Sequence, residues 1–188
     1  MTEYFERVKA HLESFDEETQ KLLAELKTIR HLKKGDLLLK QNEICRKSHI
    51  MVSGVARKFF ILDHKEVTTE FLFENDIAAS FKSYVYQQPS TEIIECITDI
   101  TVEVIDHIAF EKAKRQNMKL MEYSILITEL YATWLEDRIF DFHTRSATER
   151  YLNLLKKSPE YFNHIKLTHI ASYLGISLET LSRIRAKI

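Results

Sequence analysis

Near the end of the chain, Glu179, Ser182, Arg183 and Lys187 follow one another at intervals of three, one and four residues, a spacing that lines up one face of a helix. A carboxylate, a hydroxyl, a guanidinium and an ammonium on one short face make a hydrogen-bonding surface suited to the edges of base pairs in a major groove. Leu181 and Ile184 fall on the opposite, inward face. Two features must hold this surface in place. Upstream, Ile170, Ala171 and Leu174 recur at helical spacing, and Ala171 is small enough for a second helix to cross close above it. Gly175, four residues after Ala171, can take the left-handed conformation that ends a helix, after which Ile176 can drop between the helices. Ser177 then restarts the chain as an N-cap, its hydroxyl accepting the backbone N–H of Thr180 or Glu179. Residues 167–188 therefore read as a helix-turn-helix, and its ligand as double-stranded DNA. Two packed helices of an all-α region are joined by turns of the same length. The coincidence of small residue, glycine, apolar residue, N-cap and Thr-Leu-Ser-Arg in one window favours the DNA reading.

The net charge of −1 conceals an asymmetry. From Thr144 to Ile188 there are eight basic residues against three acidic ones, leaving nineteen basic and twenty-five acidic residues for positions 1–143. A basic module on an acidic body concentrates phosphate neutralisation at one end of the molecule.

The chain has 188 residues, 45% of them hydrophobic, enough for one or two real cores. No run approaches the eighteen apolar residues of a membrane span, and the first fifteen residues are amphipathic and charged, unlike a signal peptide. The expectation is a soluble cytoplasmic protein. Cys45 and Cys96 stand alone, without metal-ligand or redox spacing, and the eight histidines form no HExxH pattern. Three dispersed glycines leave no phosphate loop or GxSxG elbow. Neither catalytic residues, nor a metal site, nor a cofactor is expected.

Ahead of the basic module, residues 107–142 contain neither glycine nor proline. Within them Met121, Ile125, Thr128, Ala132, Leu135, Ile139 and Phe142 alternate spacings of four and three, a heptad seam. No second helix of the chain carries a matching seam, so the expectation is a parallel contact with the same helix of another copy, giving a two-fold homodimer. The alternative is that the stripe packs on its own domain. Trp134 lies off the seam and is expected to pack within the chain. Between residues 28 and 106 the texture changes to short β-branched and aromatic runs: DLLLKQ, SHIMVSG, VARKFFIL, EVTTEFLF, TEIIECIT and ITVEVID. Gly35, Asn75-Asp76 and Pro89 separate runs as turn formers, and Ser53-Gly54 marks a tight turn or a bulge. Many short consecutive strands predict an antiparallel roll. Before them, residues 15–26 have an acidic first turn and apolar Leu22, Leu23 and Leu26, which predicts a helix.

In this order the chain resembles the Crp/Fnr family of bacterial transcription regulators. The resemblance covers nearly the whole chain and is carried by KKGDLLLKQNE, HIMVSGVAR, the heptad helix and IASYLGISLETLSRI, the last similar to variants abundant in Bacteroidetes. It implies an α+β fold with N-terminal helices and a cyclic-nucleotide-binding-like antiparallel β-roll or jelly roll (residues 1–106). A dimerisation helix (107–143) and a winged-helix type of helix-turn-helix domain (144–188) follow. It also implies double-stranded DNA, a second copy and RNA polymerase as partners, with a small-molecule effector that is unknown. The chain stops at Ile188, where many relatives continue into a β-wing, so the wing is expected to be short or absent, or the chain truncated.

Family members that bind cyclic AMP carry Gly-Glu-Leu and, about ten residues after the Glu, Arg-Ser or Arg-Thr; the glycine admits backbone amides to the phosphate, the Glu takes the ribose and the Arg neutralises the anion. The resemblance places Ala79 on that glycine, Ser80 on the glutamate, Ser90 on the arginine and Thr91 after it. An uncompensated phosphodiester would be costly to bury, so cyclic AMP binding is expected to be lost. Lys82 offers a replacement charge or is simply a solvated lysine. Residues 1–44 hold no cysteine, which disfavours the iron–sulfur cluster of oxygen-sensing members. On the reading head the family pattern falls on Glu179, Ser182 and Arg183. It gives Arg183 a forked contact to guanine and Glu179 a cytosine amino group or the orientation of that arginine, while Ser182 adds a groove contact. Leu178 replaces a common arginine and would meet a thymine methyl. Thr168, Ser177, Thr180, Arg185 and Lys187 are the phosphate-contact candidates. Two other classes compete: a ligand-sensing roll with a vestigial DNA head, and an enzyme on a cupin-like roll, for which HxH metal spacing is missing.

Overall fold

The computed structural model describes residues 2–157, 159 and 162–187; Met1, Ser158, Glu160, Tyr161 and Ile188 lie outside the described residues. Two helices open the chain, α1 (Thr2–Glu13) and α2 (Glu17–Leu26). Asp16 starts α2 by accepting the backbone N–H of Thr19 at 2.7 Å, and Glu17 and Glu18 complement the positive end of the helix dipole.

Eight strands follow: β1 (Lys27–Leu32), β2 (Leu37–Leu39), β3 (Lys47–Ser53), β4 (Ala56–Leu62), β5 (Lys65–Leu72), β6 (Ile77–Ala78), β7 (Ile93–Cys96) and β8 (Ile100–Asp106). A short helix, α3 (Phe81–Tyr86), interrupts them after β6. The strands form two antiparallel sheets, ordered β1-β8-β3-β6 and β2-β7-β4-β5. Between the sheets lies a core of Met51, Ala56, Leu72, Ile94, Ile100, Val102 and Val104. This is the expected roll, with two pieces that had no signal of their own. β1 is an edge strand with four exposed residues, so its KTIRHL shows no apolar alternation, and β6 is only two residues long.

Gly54 makes the corner between β3 in one sheet and β4 in the other, at φ +86°. A Cβ there would stand 2.4 Å from the Asp99 carbonyl oxygen. The corner thus needs glycine for its dihedral and for the close approach of the β7–β8 connection.

The single helix expected over 107–142 is two: α4 (His107–Gln116) and α5 (Met118–Thr144). Asn117 divides them in an extended conformation, its Oδ1 accepting Leu120 N–H at 3.1 Å and its Nδ2 donating to Thr19 Oγ1 of α2 at 2.9 Å. A good N-cap residue with a tertiary partner outweighs helix propensity on either side. Leu120 and Tyr123 then bury against Phe15, Leu23 and Ile105; full burial of a side chain such as Leu120 stabilises by about 1.5–3 kcal/mol.

The remaining helices are α6 (Ala147–Lys157), α7 (Leu167–Leu174) and α8 (Leu178–Arg185). Their core of Tyr151, Leu154, Ile165, Ile170, Ala171, Leu174, Leu181 and Ile184 is continuous with Val55, Phe71, Phe73 and Ile97 of the roll. The outer face of β4 and β5 is therefore covered by the C-terminal helices.

Gly54→Ala is expected to destabilise the protein by about 2 kcal/mol, lowering Tm by roughly 4–8 °C for a chain of this size. Calorimetric or fluorescence melting checks it, and an unchanged Tm would show that the corner relaxes freely.

Candidate nucleic-acid interface and the roll interior

Gly175 ends α7 at φ 66°, ψ 36°. The N–H of Ile176 bonds Ala171 O at 3.0 Å and that of Gly175 bonds Ser172 O at 3.1 Å, the paired bonds of a Schellman closure. Ser177 Oγ then accepts the N–H of Thr180 at 3.2 Å and starts α8. Leu181 and Ile184 are buried, and Ile176 packs against the same core. Two short crossing helices are thereby held rigidly with the outer face of α8 in solvent.

That face carries Glu179, Ser182 and Arg183, all exposed, with Leu178 39% exposed at its start. Thr168, Ser177, Arg185 and Lys187 are exposed as well. Thr180 is half-buried, its hydroxyl 3.1 Å from Ser177 Oγ, so it is committed to the cap as much as to any ligand. A hydrogen bond from the Ser177 side chain holds the Glu179 carboxyl below its usual value. At neutral pH the face therefore presents one carboxylate beside the guanidinium of Arg183.

On α5, Tyr123 and Leu130 turn into the protein. Met121 is half-buried, while Ile125, Thr128, Ala132, Leu135, Ile139 and Phe142 are all exposed, Ile139 to 60%. The Phe142 ring lies beside Arg138 and Arg150 within the chain, and a Cβ on Gly175 would lie 3.1 Å from it. Trp134 stacks on Tyr131, ring centroids 5.6 Å apart.

In the roll interior, Ser80 and Ser90 are brought together and buried. Ser90 Oγ lies 3.0 Å from Ser80 Oγ, and Ser80 Oγ donates to Glu92 Oε2 at 2.5 Å. Ala79 is half-buried, and Lys82 and Thr91 point into solvent. The cation inside is instead Lys58, 3% exposed overall. Its Nζ lies 2.5 Å from Glu70 Oε2 and 3.3 Å and 3.4 Å from Tyr131 Oη and Ala79 O, so all three donors are committed to the protein. Burial opposes this charge, but the Glu70 carboxylate outweighs it, and Lys58 titrates above the ordinary lysine value. Lys58 and Glu70 face each other because a bulge between Lys58 and Phe59 shifts the β4–β5 register. Regular counting back from the Asp63-His64 turn pairs Lys58 with the wrong residue, which hid the pair from sequence reading.

The neighbouring residue Arg57 points to the opposite face of β4 and is also buried, bonded to Glu66 at 2.8 Å and Glu95 at 2.7 Å. α7 lies against that face. Ser172 Oγ accepts the Thr68 N–H at 2.9 Å and donates to Glu66 O at 3.0 Å, Tyr173 packs on Phe71, and His169 Nε2 is 3.9 Å from Glu66.

Burial also raises both thiols, Cys96 to about 12, so neither is a thiolate near neutrality. Among the described residues no three His, Cys, Asp or Glu side chains are grouped to hold a metal ion.

No protein-family model matches the sequence, and no curated protein matches it. Solved structures do. FixK2 from Bradyrhizobium japonicum is similar with a TM-score of 0.74 at 19% identity, over 86% of this chain and 83% of that one. A chain from Eubacterium rectale assigned to the Crp/Fnr transcriptional regulators gives 0.71 at 18% identity, over 92% and 82%. The regulator CLP of Xanthomonas campestris, described as responsive to c-di-GMP, gives 0.70 at 12% identity, over 92% and 91%. The fold is that of the Crp/Fnr regulators. The roll, the long helix α5 and the paired helices α7 and α8 are its parts, as the sequence resemblance implied. Within the Crp/Fnr fold of this chain, the residues that sequence reasoning missed are Lys58, Glu70, Glu92 and Tyr131, four polar side chains on four separate elements or loops.

Burial, with the Arg57 guanidinium adding, holds His169 down to about 4. A folded-state value below the unfolded 6.5 means that neutral His169 supports the docking of α7 above about pH 6.5, and that this support is lost as pH falls towards 4. Emission of Trp134, the only tryptophan, should report a transition in that window. His169→Gln should remove that component and leave the step of the same sign from His49, which burial also holds at about 4. An identical acid profile in the variant would assign the transition elsewhere.

Proposed function

We propose that this chain is a homodimeric, sequence-specific regulator of transcription that reads double-stranded DNA with α8, and that its roll does not take cyclic AMP. The carrying observation is the exposed Glu179–Ser182–Arg183 face of α8, set rigidly after the Gly175 closure and the Ser177 cap. Arg183 supplies a planar fork for guanine O6 and N7, Glu179 accepts from a cytosine amino group or orients that fork, and Ser182 adds a groove contact. Leu178 at the edge of the face meets a thymine methyl. Thr168, Ser177, Arg185 and Lys187, all exposed, are the phosphate contacts of this reading, and the basic balance of residues 144–188 supports that role.

The exposed stripe from Ile125 to Ile139 supports dimerisation through α5: Ile125, Leu135 and Ile139, solvent-facing in one copy and in heptad register with the small Thr128 and Ala132, are what a second copy covers. Two reading heads then meet half-sites about one helical turn apart. The case against cyclic AMP rests on Ser80, Ser90 and Glu92 bonding one another, and on Lys58 spending its donors on Glu70, Tyr131 and Ala79. Among the described residues the buried cation of the inner face, Lys58, is thus already paired and not offered to a phosphodiester.

Selection of binding sites from random duplexes should recover a palindrome with wild type. Arg183→Ala should weaken the selected site by about 1–3 kcal/mol per half-site and relax the base it reads, whereas Arg185→Gln should weaken all sequences alike and flatten the salt dependence by about one unit per copy. Failure to enrich any sequence would overturn the DNA reading. Added cyclic AMP should leave both affinity and Tm unchanged; a saturable rise in Tm would overturn the account of the roll.

A further inference from the structure

We infer that Arg138, Phe142 and Arg150 are positioning residues that lock the direction of α8 to the axis of α5, and so set the half-site spacing a dimer accepts. This rests on the DNA reading and dimer proposed above.

The contacts converge on the end of α7 that precedes the turn. Arg138 of α5 donates through Nη2 to Tyr173 O at 3.1 Å. Arg150 of α6 donates through Nη2 to Leu174 O at 3.0 Å and through Nη1 to Arg145 O, the C-cap of α5, at 2.8 Å. Tyr173 O and Leu174 O belong to the negative end of α7, where a cation both bonds the acceptors and meets the dipole favourably. The Arg138 guanidinium lies 3.9 Å from the centre of the Tyr173 ring and 5.2 Å from that of Phe142, and the Arg150 guanidinium lies 4.9 Å from that of Phe142. Phe142 in turn comes so close to Gly175 that a β-carbon there would crowd its ring. The glycine of the turn thus serves twice, closing α7 and admitting the last apolar side chain of α5.

The clasp is short. Ile139, exposed on the stripe offered to a second copy, is the next residue after Arg138, and Phe142 is one helical turn beyond Arg138. Less than two turns of α5 therefore separate the dimer contact from the end of α7, which leaves little slack between the two reading heads. The core of α6, α7 and α8 is continuous with Val55, Phe71, Phe73 and Ile97 of the roll, so loss of Arg138 loosens the head against α5 without opening that core.

The test uses the full-length protein and the half-site recovered by selection, in duplexes carrying one half-site or two at centre-to-centre distances varied in single base pairs around one turn of about 10 base pairs. Wild type should prefer one distance at least about tenfold over distances three base pairs away, since each base pair rotates the second site by roughly a tenth of a turn. Arg138→Gln and Arg150→Lys, the second keeping the charge and losing the fork, should bind the single half-site within about twofold of wild type while the distance preference falls to about threefold or less. A variant that keeps the wild-type distance profile overturns the inference, and so does equal loss on single and double sites, which marks a merely structural role. If wild type binds no duplex at all, the DNA reading has failed and the clasp falls with it; wild-type binding with unchanged variants sinks the clasp alone.

Discussion

Two consecutive cations, Arg57 and Lys58, are buried on opposite faces of one strand, and much of the molecule is arranged around making that tolerable. An unpaired buried charge costs several kcal/mol, so each must be met by carboxylates and acceptors held in place. On the inner face Lys58 is met by Glu70 across the hairpin and by Tyr131 from α5. On the outer face Arg57 is met by Glu66 and Glu95, with α7 closing over them through Ser172 and His169. The β4–β5 hairpin thereby has polar contact with α5 on one side, through Lys58, and with α7 on the other, through Glu66 and Thr68. Arg57 and Lys58 themselves are 2% and 3% exposed.

How much of this was legible follows the range of the interactions. The Gly175 closure, the Ser177 cap and the inward Leu181 and Ile184 are local, decided within four residues, and stand in the structure where their spacing put them. The apolar runs of β3, β4, β5, β7 and β8 were visible for the same reason. What was hidden depends on partners far along the chain. Asn117 breaks a helix-favouring stretch because Thr19, ninety-eight residues away, takes its side chain. Lys58 meets Glu70 because one bulge shifts a register, and Arg138 and Arg150 reach α7 from helices whose order in sequence says nothing of their crossing.

The roll interior shows a similar contrast. Matching positions to the family motif drew attention to Ser80 and Ser90 as losses, two hydroxyls where an acid and a base belonged. In the folded chain they are partners, joined with Glu92 in a closed set of hydrogen bonds. The buried charge of the region sits in the middle of β4, at Lys58, and Tyr131 of α5 bonds to it. A site read only by what it lacks would have missed the network that took its place, since buried polar groups persist only when satisfied together.

β5 is the outer strand of its sheet, and the backbone groups along its free side have no strand to pair with. Ser172 supplies what a neighbouring strand would have supplied, one acceptor and one donor, at Thr68 and Glu66. An uncovered row of amide and carbonyl groups beside Val67, Phe71 and Leu72 is a template on which other chains add strands. The α7–α8 pair is thus also a lid on an aggregation-prone seam. Any rearrangement that swings the pair outward exposes that border and carries a solubility penalty unless something else seals it.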